Sequence, residues 1–444
     1  MTRRGNSRTL LPCALNTAAL WKNVLQTEPS GPPKGHALPS LTGIRGIAAL
    51  GVFLSHFQLV IFVFLGLNPN RELHFITNGF RGVSLFFILS GFILYYVHSH
   101  DFSENIRFDK LVEFFTLRFF RVYPLNTAVL LILIPVVVLL PGYVLWHRAT
   151  HASIAPSLAY HLHDFSRGAF IQGLLLLQNW TGLKLGTWNE PAWSLSAETV
   201  GYAAFPFFAF FAARLMNATR AAGAAILSLV LLTLIVIRTG HTTDNETGLF
   251  GTLGMAFCFF AGIGLCRCFQ LLRLTPVAAR MVTSISAAVT LVCLAVDSAG
   301  VFAVFGFSGL IFGLAYQTGT INAILTSRTS MFLGKISFSF YMVHLIPLDL
   351  FVWLTSVEKW QFGVATKLAL LAALAISAVL LSVVTYMLVE VPFQRLGRRV
   401  SAAISEKFAR CDVTPRIASS KIVSESGSNA MAQPNFVTSS DEPA

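Results

Sequence analysis

Long apolar stretches alternate with short polar loops along the 444 residues of the chain. Ten of the stretches approach the roughly 20 residues with which an α-helix crosses the hydrocarbon core of a bilayer. A helix satisfies its backbone hydrogen bonds internally, so these stretches predict helices rather than open strands. The predicted spans are 41–66, 79–97, 123–141, 192–213, 222–238, 249–269, 277–296, 301–320, 336–354 and 366–389. The pattern therefore predicts an all-α integral membrane protein, a bundle of about ten transmembrane helices.

One apolar segment, residues 168–180, is too short to be an ordinary span. We expect it to re-enter the bundle or to lie in the interface, because irregular backbone at membrane depth is tolerated where it lines a protein cavity. The loop before it, 142–167, holds four irregularly spaced histidines, which favours solvated side chains over a metal site. Those histidines are His147, His151, His161 and His163.

Polar segments flank the predicted bundle at both ends. We expect a cytoplasmic tail over residues 1–38, the transmembrane domain over 39–398, and a disordered cytoplasmic tail, rich in Ser, Ala and charge, over 399–444. The first apolar run, from Leu41, is too long for the core of a cleavable signal peptide. No internal repeat stands out, which counts against many transporter designs.

Composition and charge support a membrane location. Hydrophobic residues make up 55% of the chain and charged residues only 12%, with a mean hydropathy of +0.67, whereas soluble domains carry roughly 25% charged residues. The net charge of +12 lies mostly in short loops and tails, which makes nucleic acid a weak candidate partner. With the N-terminus inside, 23 Lys and Arg fall on the cytoplasmic side and eight on the other. This bias predicts cytoplasmic termini.

The six cysteines lie in apolar spans or in the tails. Cys266 and Cys268 are spaced C-x-C with no histidine cluster beside them. We therefore predict neither a disulfide framework nor a zinc site.

The first span, LTGIRGIAALGVFLSHF, contains two ionisable residues, Arg45 and His56. Charged groups inside spans are costly and are functional candidates by default. The two residues are three helical turns apart to within about 20°, so they share one face but lie about 16 Å apart along the axis. They therefore suggest separate steps: Arg45 would hold an anion near the cytoplasm, and His56 would exchange a proton near neutral pH. The plainer alternative is a snorkelling arginine and a hydrogen-bonded core histidine.

Two further motifs carry charged side chains beside predicted spans. In RFFRVYP, Arg118 and Arg121 fall on one side of a helix, where they could hold phosphates or simply anchor a cytoplasmic loop. In NEPAWSLSAETVGY, Glu198 could orient or deprotonate a histidine, or it could be an acid favoured by the helix dipole.

Other polar side chains lie at predicted membrane depth or at a span end. Arg81 lies at the outer mouth of the second span, and Glu390, in EVPF, is expected to pair with a loop arginine near the inner end of the tenth. The remaining candidates are Trp193, Ser194 and Ser196 in the fourth span and Tyr341, His344 and Asp349 in the ninth, ISFSFYMVHLIPLDL.

The order and number of these segments resemble acyltransferase family 3, the membrane-bound O-acyltransferases of the R-x10-H type. The resemblance runs from residue 39 to residue 393. The matching segments are Arg45 and His56 as R-x10-H, GVSLFFILSGF, Arg118 and Arg121 as RxxR, WSLSAE ending in Glu198, ISFSFYMVHL, and EVP. The resemblance implies a coenzyme A thioester as donor, usually acetyl-coenzyme A, and a hydroxyl on a glycan, lipid or secreted small molecule as acceptor. It also implies that His56 is essential.

We therefore expect an O-acetyltransferase of the bacterial inner membrane that acylates a glycan or exported oligosaccharide and binds no permanent cofactor or metal. His56 would act as general base or as transient acyl carrier. The expected residues are His56, Arg45 and Glu198 for catalysis, Arg118 and Arg121 for acyl-coenzyme A, and Arg81, Ser196, Tyr341 and His344 in support. The alternative is a transporter that exports an anionic or acylated small molecule, with the buried Arg and His in a proton relay.

Overall fold

The computed structural model describes residues 37–66, 74–140, 165–180, 188–240, 248–357 and 362–425. This part of the chain is 87% helical and contains no strand. Two short turns, His74–Thr77 and Asn78–Arg81, lead into the second helix, and a π turn, Tyr386–Glu390, joins the last two. The helices are α1 (Pro39–Leu65), α2 (Gly82–Phe102), α3 (Phe108–Leu139), α4 (Arg167–Leu175), α5 (Ala192–Ala213), α6 (Ala218–Thr239), α7 (Leu249–Leu271), α8 (Pro276–Ala295), α9 (Ala303–Leu314), α10 (Gly319–Leu325), α11 (Arg328–Val343), α12 (Leu345–Val357), α13 (Val364–Thr385) and α14 (Val391–Glu425).

The architecture confirms the all-α, multi-spanning prediction. Over the described ranges, eight helices are long and apolar enough to cross a membrane, or up to ten if two bent pairs each count as one span. One pair joins Ser298–Leu314 to α10 at 90°, and the other joins α11 to Leu345–Thr355 at 48°. The predicted eighth and ninth spans are therefore broken rather than straight. The second break matters for function because His344 lies in it.

Two helix boundaries differ from the expected ones. Helix α3 begins at Phe108 rather than near residue 123, so Arg118 and Arg121 lie inside a helix and not at the end of a loop. Their charges lower the local hydropathy, so a search for apolar stretches does not include this part of the helix. Arginine nevertheless has a high helix propensity. Helix α14 continues past residue 399, where we expected the disordered tail to begin. Residues 426–444 lie outside the described residues.

The apolar segment 168–180 forms the nine-residue helix α4 and its C-terminal turn. A helix of that length rises roughly 14 Å, about half of a bilayer core. The side chain of Ser166 caps its first turn by accepting from the Ala169 amide, and Leu176 ends it in the left-handed conformation. The segment is therefore too short to cross a membrane, as predicted. The four loop histidines lie outside the described residues.

Glycine allows α2 and α7 to touch backbone to backbone. A methyl group at Gly91 would overlap the carbonyl of Phe259, and one at Gly262 would overlap the carbonyl of Ile88. Small residues at such crossings let membrane helices approach closely. The contact fixes α2 so that Val83, Phe86 and Ser90 face the interior next to α1 and α5.

Replacing Gly91 with alanine is expected to destabilise the bundle, because the added methyl forces α2 away from α7. Overpacking of this kind costs about 1–3 kcal/mol. The measurement is the thermal unfolding midpoint of the purified protein in detergent, which should fall. The matched control is Gly223→Ala in α6, where a methyl group meets no neighbouring atom and alanine favours the helix. Equal midpoints for the two variants would contradict the close contact.

Candidate active site

Helix α1 forms part of three cavities. The first, which we call the main cavity, has a volume of about 260 Å³ and lies between α1, α2, α3, α5 and α11. Its wall is mostly apolar. The polar and charged side chains that line it are Arg45, Ser90, Arg118, Arg121, Ser194, Glu198, Tyr202, Ser337 and Tyr341. Five of the nine residues predicted for the site therefore line one space, Arg45, Arg118, Arg121, Glu198 and Tyr341.

Three arginines converge on the main cavity, Arg45 from α1 and Arg118 and Arg121 from α3. The guanidinium of Arg118 lies 5.8 Å from the ring centre of Phe114 and 6.0 Å from that of Tyr202. Its buried Nε has no hydrogen-bond partner among the described residues. A buried donor without a partner costs free energy, and an anionic ligand in the cavity would recover it. The cluster can therefore hold an anion.

Glu198 lies with the arginines and not with His56. Its carboxylate accepts a hydrogen bond from the Ser90 hydroxyl at 2.5 Å, and Tyr202 lines the same cavity. It lines the main cavity, whereas the smaller pocket around His56 is lined by Glu190. The structure therefore places Glu198 beside the anion site and brings Glu190, which the sequence analysis did not single out, to the histidine.

His56 and His344 meet in a second space, the histidine pocket, of about 20 Å³. This is close to the room needed by one water molecule. His344 reaches it from the break between α11 and α12, and His56 from α1. Val83 and Tyr341 line both this pocket and the main cavity, so the two spaces adjoin.

The hydrogen bonds of the histidine pair define which nitrogen of each ring carries the proton. His56 Nδ1 lies 2.9 Å from the carbonyl of Val52, and His344 Nδ1 lies 2.8 Å from that of Tyr341. Because a carbonyl oxygen only accepts, each Nδ1 is the donor in the neutral ring. His344 Nε2 then accepts from His56 Nδ1 across a longer distance of 3.4 Å. His56 Nε2 is left with a lone pair, which is the requirement for a general base.

The hydroxyl of Tyr341 lies at the border between the main cavity and the histidine pocket. It is 2.8 Å from Ser194 Oγ, and the Ser194 hydroxyl also lies 3.0 Å from the Pro191 carbonyl. Because that carbonyl only accepts, Ser194 donates to it and Tyr341 donates to Ser194. These two bonds fix the side chain that separates the anion site from the histidines.

The other predicted supporting residues, Arg81 and Ser196, lie elsewhere. Ser196 is fully buried, donates to the Leu176 carbonyl and accepts from the Asn179 amide, so it joins α5 to the turn after α4. Arg81 is buried near Gly300, where its guanidinium leaves no room for a methyl group. Neither residue lines the main cavity or the histidine pocket.

Glu390 is buried in the π turn, and its carboxylate is satisfied by neutral donors. Ser339 donates to Oε2 at 2.7 Å and Gln394 donates to Oε1 at 3.0 Å. The expectation of a loop arginine as its partner is therefore not met by these bonds. Arg45 and Arg121 lie near enough to interact electrostatically with the carboxylate. Isolated π turns inside helices are frequent at functional sites.

Comparisons with known proteins agree with these features. Residues 38–387 match the model of a family described as an acyltransferase domain. The chain is 32% identical over 179 residues to acyltransferase MdmB of Streptomyces mycarofaciens, covering 40% of each chain. It is 23% identical over 338 residues to peptidoglycan O-acetyltransferase OatA of Listeria monocytogenes, covering 69% of this chain and 49% of that one. The matches thus span about half or less of these relatives, and no solved structure matches. The family match covers most of the chain and nearly all of its predicted spans, and this integral membrane protein therefore belongs to acyltransferase family 3.

Proposed function

We propose that the protein is a membrane O-acyltransferase that moves an acetyl group from acetyl-coenzyme A to a hydroxyl of a glycan or exported oligosaccharide. The observation that carries this proposal is the junction of two spaces: an arginine-lined cavity adjoins, at Tyr341, a pocket in which His56 Nε2 is free to accept a proton. An anionic donor and a hydroxyl acceptor need these two features side by side.

The arginines supply the donor site. Arg45, Arg118 and Arg121 present planar guanidinium groups, which bind phosphate oxygens through charge-assisted, often bidentate hydrogen bonds. Beyond them the main cavity wall is apolar, with Val83, Phe86 and Leu89 among its residues, and suits the uncharged arm of coenzyme A. That arm has about the length of four extended residues, roughly 14 Å. This is slightly shorter than the roughly 16 Å between Arg45 and His56 along α1, so the reach of the arginine and histidine side chains has to supply the rest.

His56 acts as general base in this proposal. Its Nε2 takes the proton of the acceptor hydroxyl as the oxygen attacks the thioester carbonyl. The new C–O bond forms, the C–S bond breaks, and the proton passes from His56 to the leaving thiolate, which leaves as free coenzyme A. The Val52 carbonyl and His344 Nε2 stabilise the positive charge on His56 while it holds the proton.

The relatives support an acyl transfer and, in one case, a carbohydrate polymer as acceptor. One is named an acyltransferase and the other a peptidoglycan O-acetyltransferase. The positive-inside bias supports donor entry from the cytoplasm through the end of the bundle that carries Arg45. A bacterial inner membrane, with donor on one side and acceptor on the other, fits both features.

The decisive experiment uses the purified protein in nanodiscs of neutral lipid with acetyl-coenzyme A labelled in the acetyl group. We expect label to appear as a base-labile ester on added glycan acceptor, with one free thiol released per ester. Proteoliposomes loaded with the same acceptor provide the comparison with transport. If the acceptor crosses the membrane and no ester forms, the protein is a transporter and the proposed acetyl transfer is refuted.

His344 is a positioning residue in this proposal, since it acts through His56. His344→Ala should lower kcat about 10- to 100-fold and leave the KM for acetyl-coenzyme A unchanged, because the base loses its orientation but the donor site is intact. The pH profile of kcat should also move. His344→Gln, whose amide oxygen can accept from His56 Nδ1, should recover part of the loss. Equal losses in both variants with an unmoved pH profile would show that His344 has only a packing role.

A further inference from the structure

A third space, which we call the basic cavity, has a volume of about 140 Å³ and adjoins the main cavity through two shared residues, Arg45 and Arg121. It lies where α1, α3, α11 and α14 meet, at the end of the bundle that we predict to be cytoplasmic. Its charged lining consists of Arg45, Arg121, Lys335, Arg395, Arg398 and Glu390.

The charges of the basic cavity do not balance. Among the described side chains that line it, four arginines face one carboxylate, that of Glu390. The carboxylate of Glu390 has already accepted hydrogen bonds at both oxygens, from Ser339 and Gln394. Guanidinium groups gathered in this way repel one another, and a multiply charged anion would relieve that repulsion.

The chain builds this cavity with a second R-x-x-R turn. Arg395 and Arg398 are three residues apart on α14, as Arg118 and Arg121 are on α3, so each pair lies on one side of its helix. Gly397 lies between Arg395 and Arg398, and a methyl group at this position would overlap the side chain of Phe120. This close contact lays α14 directly on α3 and brings Arg395 and Arg398 to the cavity that Arg121 also lines.

We propose that Arg395 and Arg398, together with Lys335, bind the 3′-phosphate at the nucleotide end of the acyl-coenzyme A donor. Arg45 and Arg121, at the junction of the two cavities, then lie next to the diphosphate, and the uncharged arm enters the main cavity. This inference rests on the proposed function, since it names the part of the donor that the basic cavity holds. It adds two arginines that the sequence pattern counts only among the cytoplasmic charges.

The test compares acetyl-coenzyme A with dephospho-acetyl-coenzyme A, which lacks only the 3′-phosphate, in nanodiscs of neutral lipid. Wild-type protein should prefer the complete donor by about 10- to 100-fold in kcat/KM, as expected for loss of charge-assisted contacts. The double variant Arg395→Ala with Arg398→Ala should lose that preference. Its loss of kcat/KM with the dephospho donor should be much smaller than its loss with the complete donor.

The matched control is Arg399→Ala, which removes an exposed arginine next in sequence that does not line the basic cavity. It should retain the wild-type preference. If the double variant keeps the preference, or the wild type has none, this subsite is overturned while acetyl transfer itself stands. Absence of transfer by the wild type from either donor would instead overturn the proposed function, and this inference with it.

A binding measurement separates the subsite from catalysis and from lipid. Adenosine 3′,5′-bisphosphate should raise the thermal unfolding midpoint of the wild type and of Arg399→Ala, but not of the double variant. AMP, which lacks the 3′-phosphate, should bind the wild type more weakly. The same assays in discs with anionic lipid test the other phosphate source. If the double variant differs from the wild type only in discs with anionic lipid, the cavity binds a lipid headgroup and the donor subsite is overturned.

Discussion

His56→Ala is expected to abolish measurable acetyl transfer, with a loss of at least about 100-fold and up to about 10⁴-fold in kcat. The reason is the arrangement of the ring: Nδ1 is bound to the Val52 carbonyl and His344, so Nε2 is the nitrogen that can take the acceptor proton. The measurement is ester formation from labelled acetyl-coenzyme A in nanodiscs. Donor binding should survive, because the arginines are untouched.

The control for this variant is His74→Ala, which removes an exposed histidine near the start of the second span. It should leave the rate unchanged. Retained transfer by His56→Ala, in protein that inserts and elutes as the wild type does, would refute the assignment of the base. Mass spectrometry of the protein after incubation with acetyl-coenzyme A in the absence of any acceptor distinguishes the two roles of His56. A general base leaves the protein unmodified, and an acyl carrier leaves an acetyl group on the ring.

Arg45→Met is expected to lower kcat/KM for acetyl-coenzyme A by about 100-fold or more. Arg45 is the residue of α1 that lines both the main and the basic cavity, and a bidentate contact to phosphate is worth two charge-assisted hydrogen bonds, each about 1.5–3 kcal/mol. Methionine keeps most of the length of the side chain without its charge, so packing is little disturbed. Steady-state rates over a range of donor concentrations provide the measurement.

A truncated donor provides the comparison for Arg45. S-acetylpantetheine carries the same thioester without any phosphate, so the wild type and Arg45→Met should use it equally slowly. Arg45→Lys should recover part of the loss with the complete donor, since it restores the charge without the planar fork. If Arg45→Met impaired the truncated donor as severely as the complete one, the residue would act on the bundle or on the chemistry rather than on the phosphates.

The spans were predictable because a bilayer imposes a simple rule on sequence: about 20 apolar residues for each crossing helix. The same rule hides features that do not depend on hydropathy. The break after Val343 lies inside the apolar run of the ninth span, so the pattern of apolar residues does not indicate it, whereas the break after Leu314 coincides with Gln317 and Thr318 at the end of the eighth. The early start of α3 was missed for the opposite reason, because charged residues occupy the first turns of a helix that packs against α14.

The candidate site could be predicted only within single helices. The 3.6-residue period places Arg45 and His56 on one face of α1 at a fixed separation. The contact between His56 and His344 joins residues 288 positions apart and requires the break before α12. Arg395 and Arg398 were counted as topology signals, because a basic cluster after a span is typical of a cytoplasmic segment. Only the packing of Gly397 on Phe120 brings that cluster into a cavity.

The placement of Arg45 and His56 on the same helix has a mechanical consequence. Helix α1 is continuous from Pro39 to Leu65. The distance between the backbone positions of Arg45 and His56 is therefore set by the hydrogen bonds of one helix and not by the way in which helices pack. Neighbouring helices can shift to admit a bulky acceptor while this interval stays constant. Helix α1 thus acts as an internal ruler: it keeps the thioester in register with the base through every motion that leaves the helix straight.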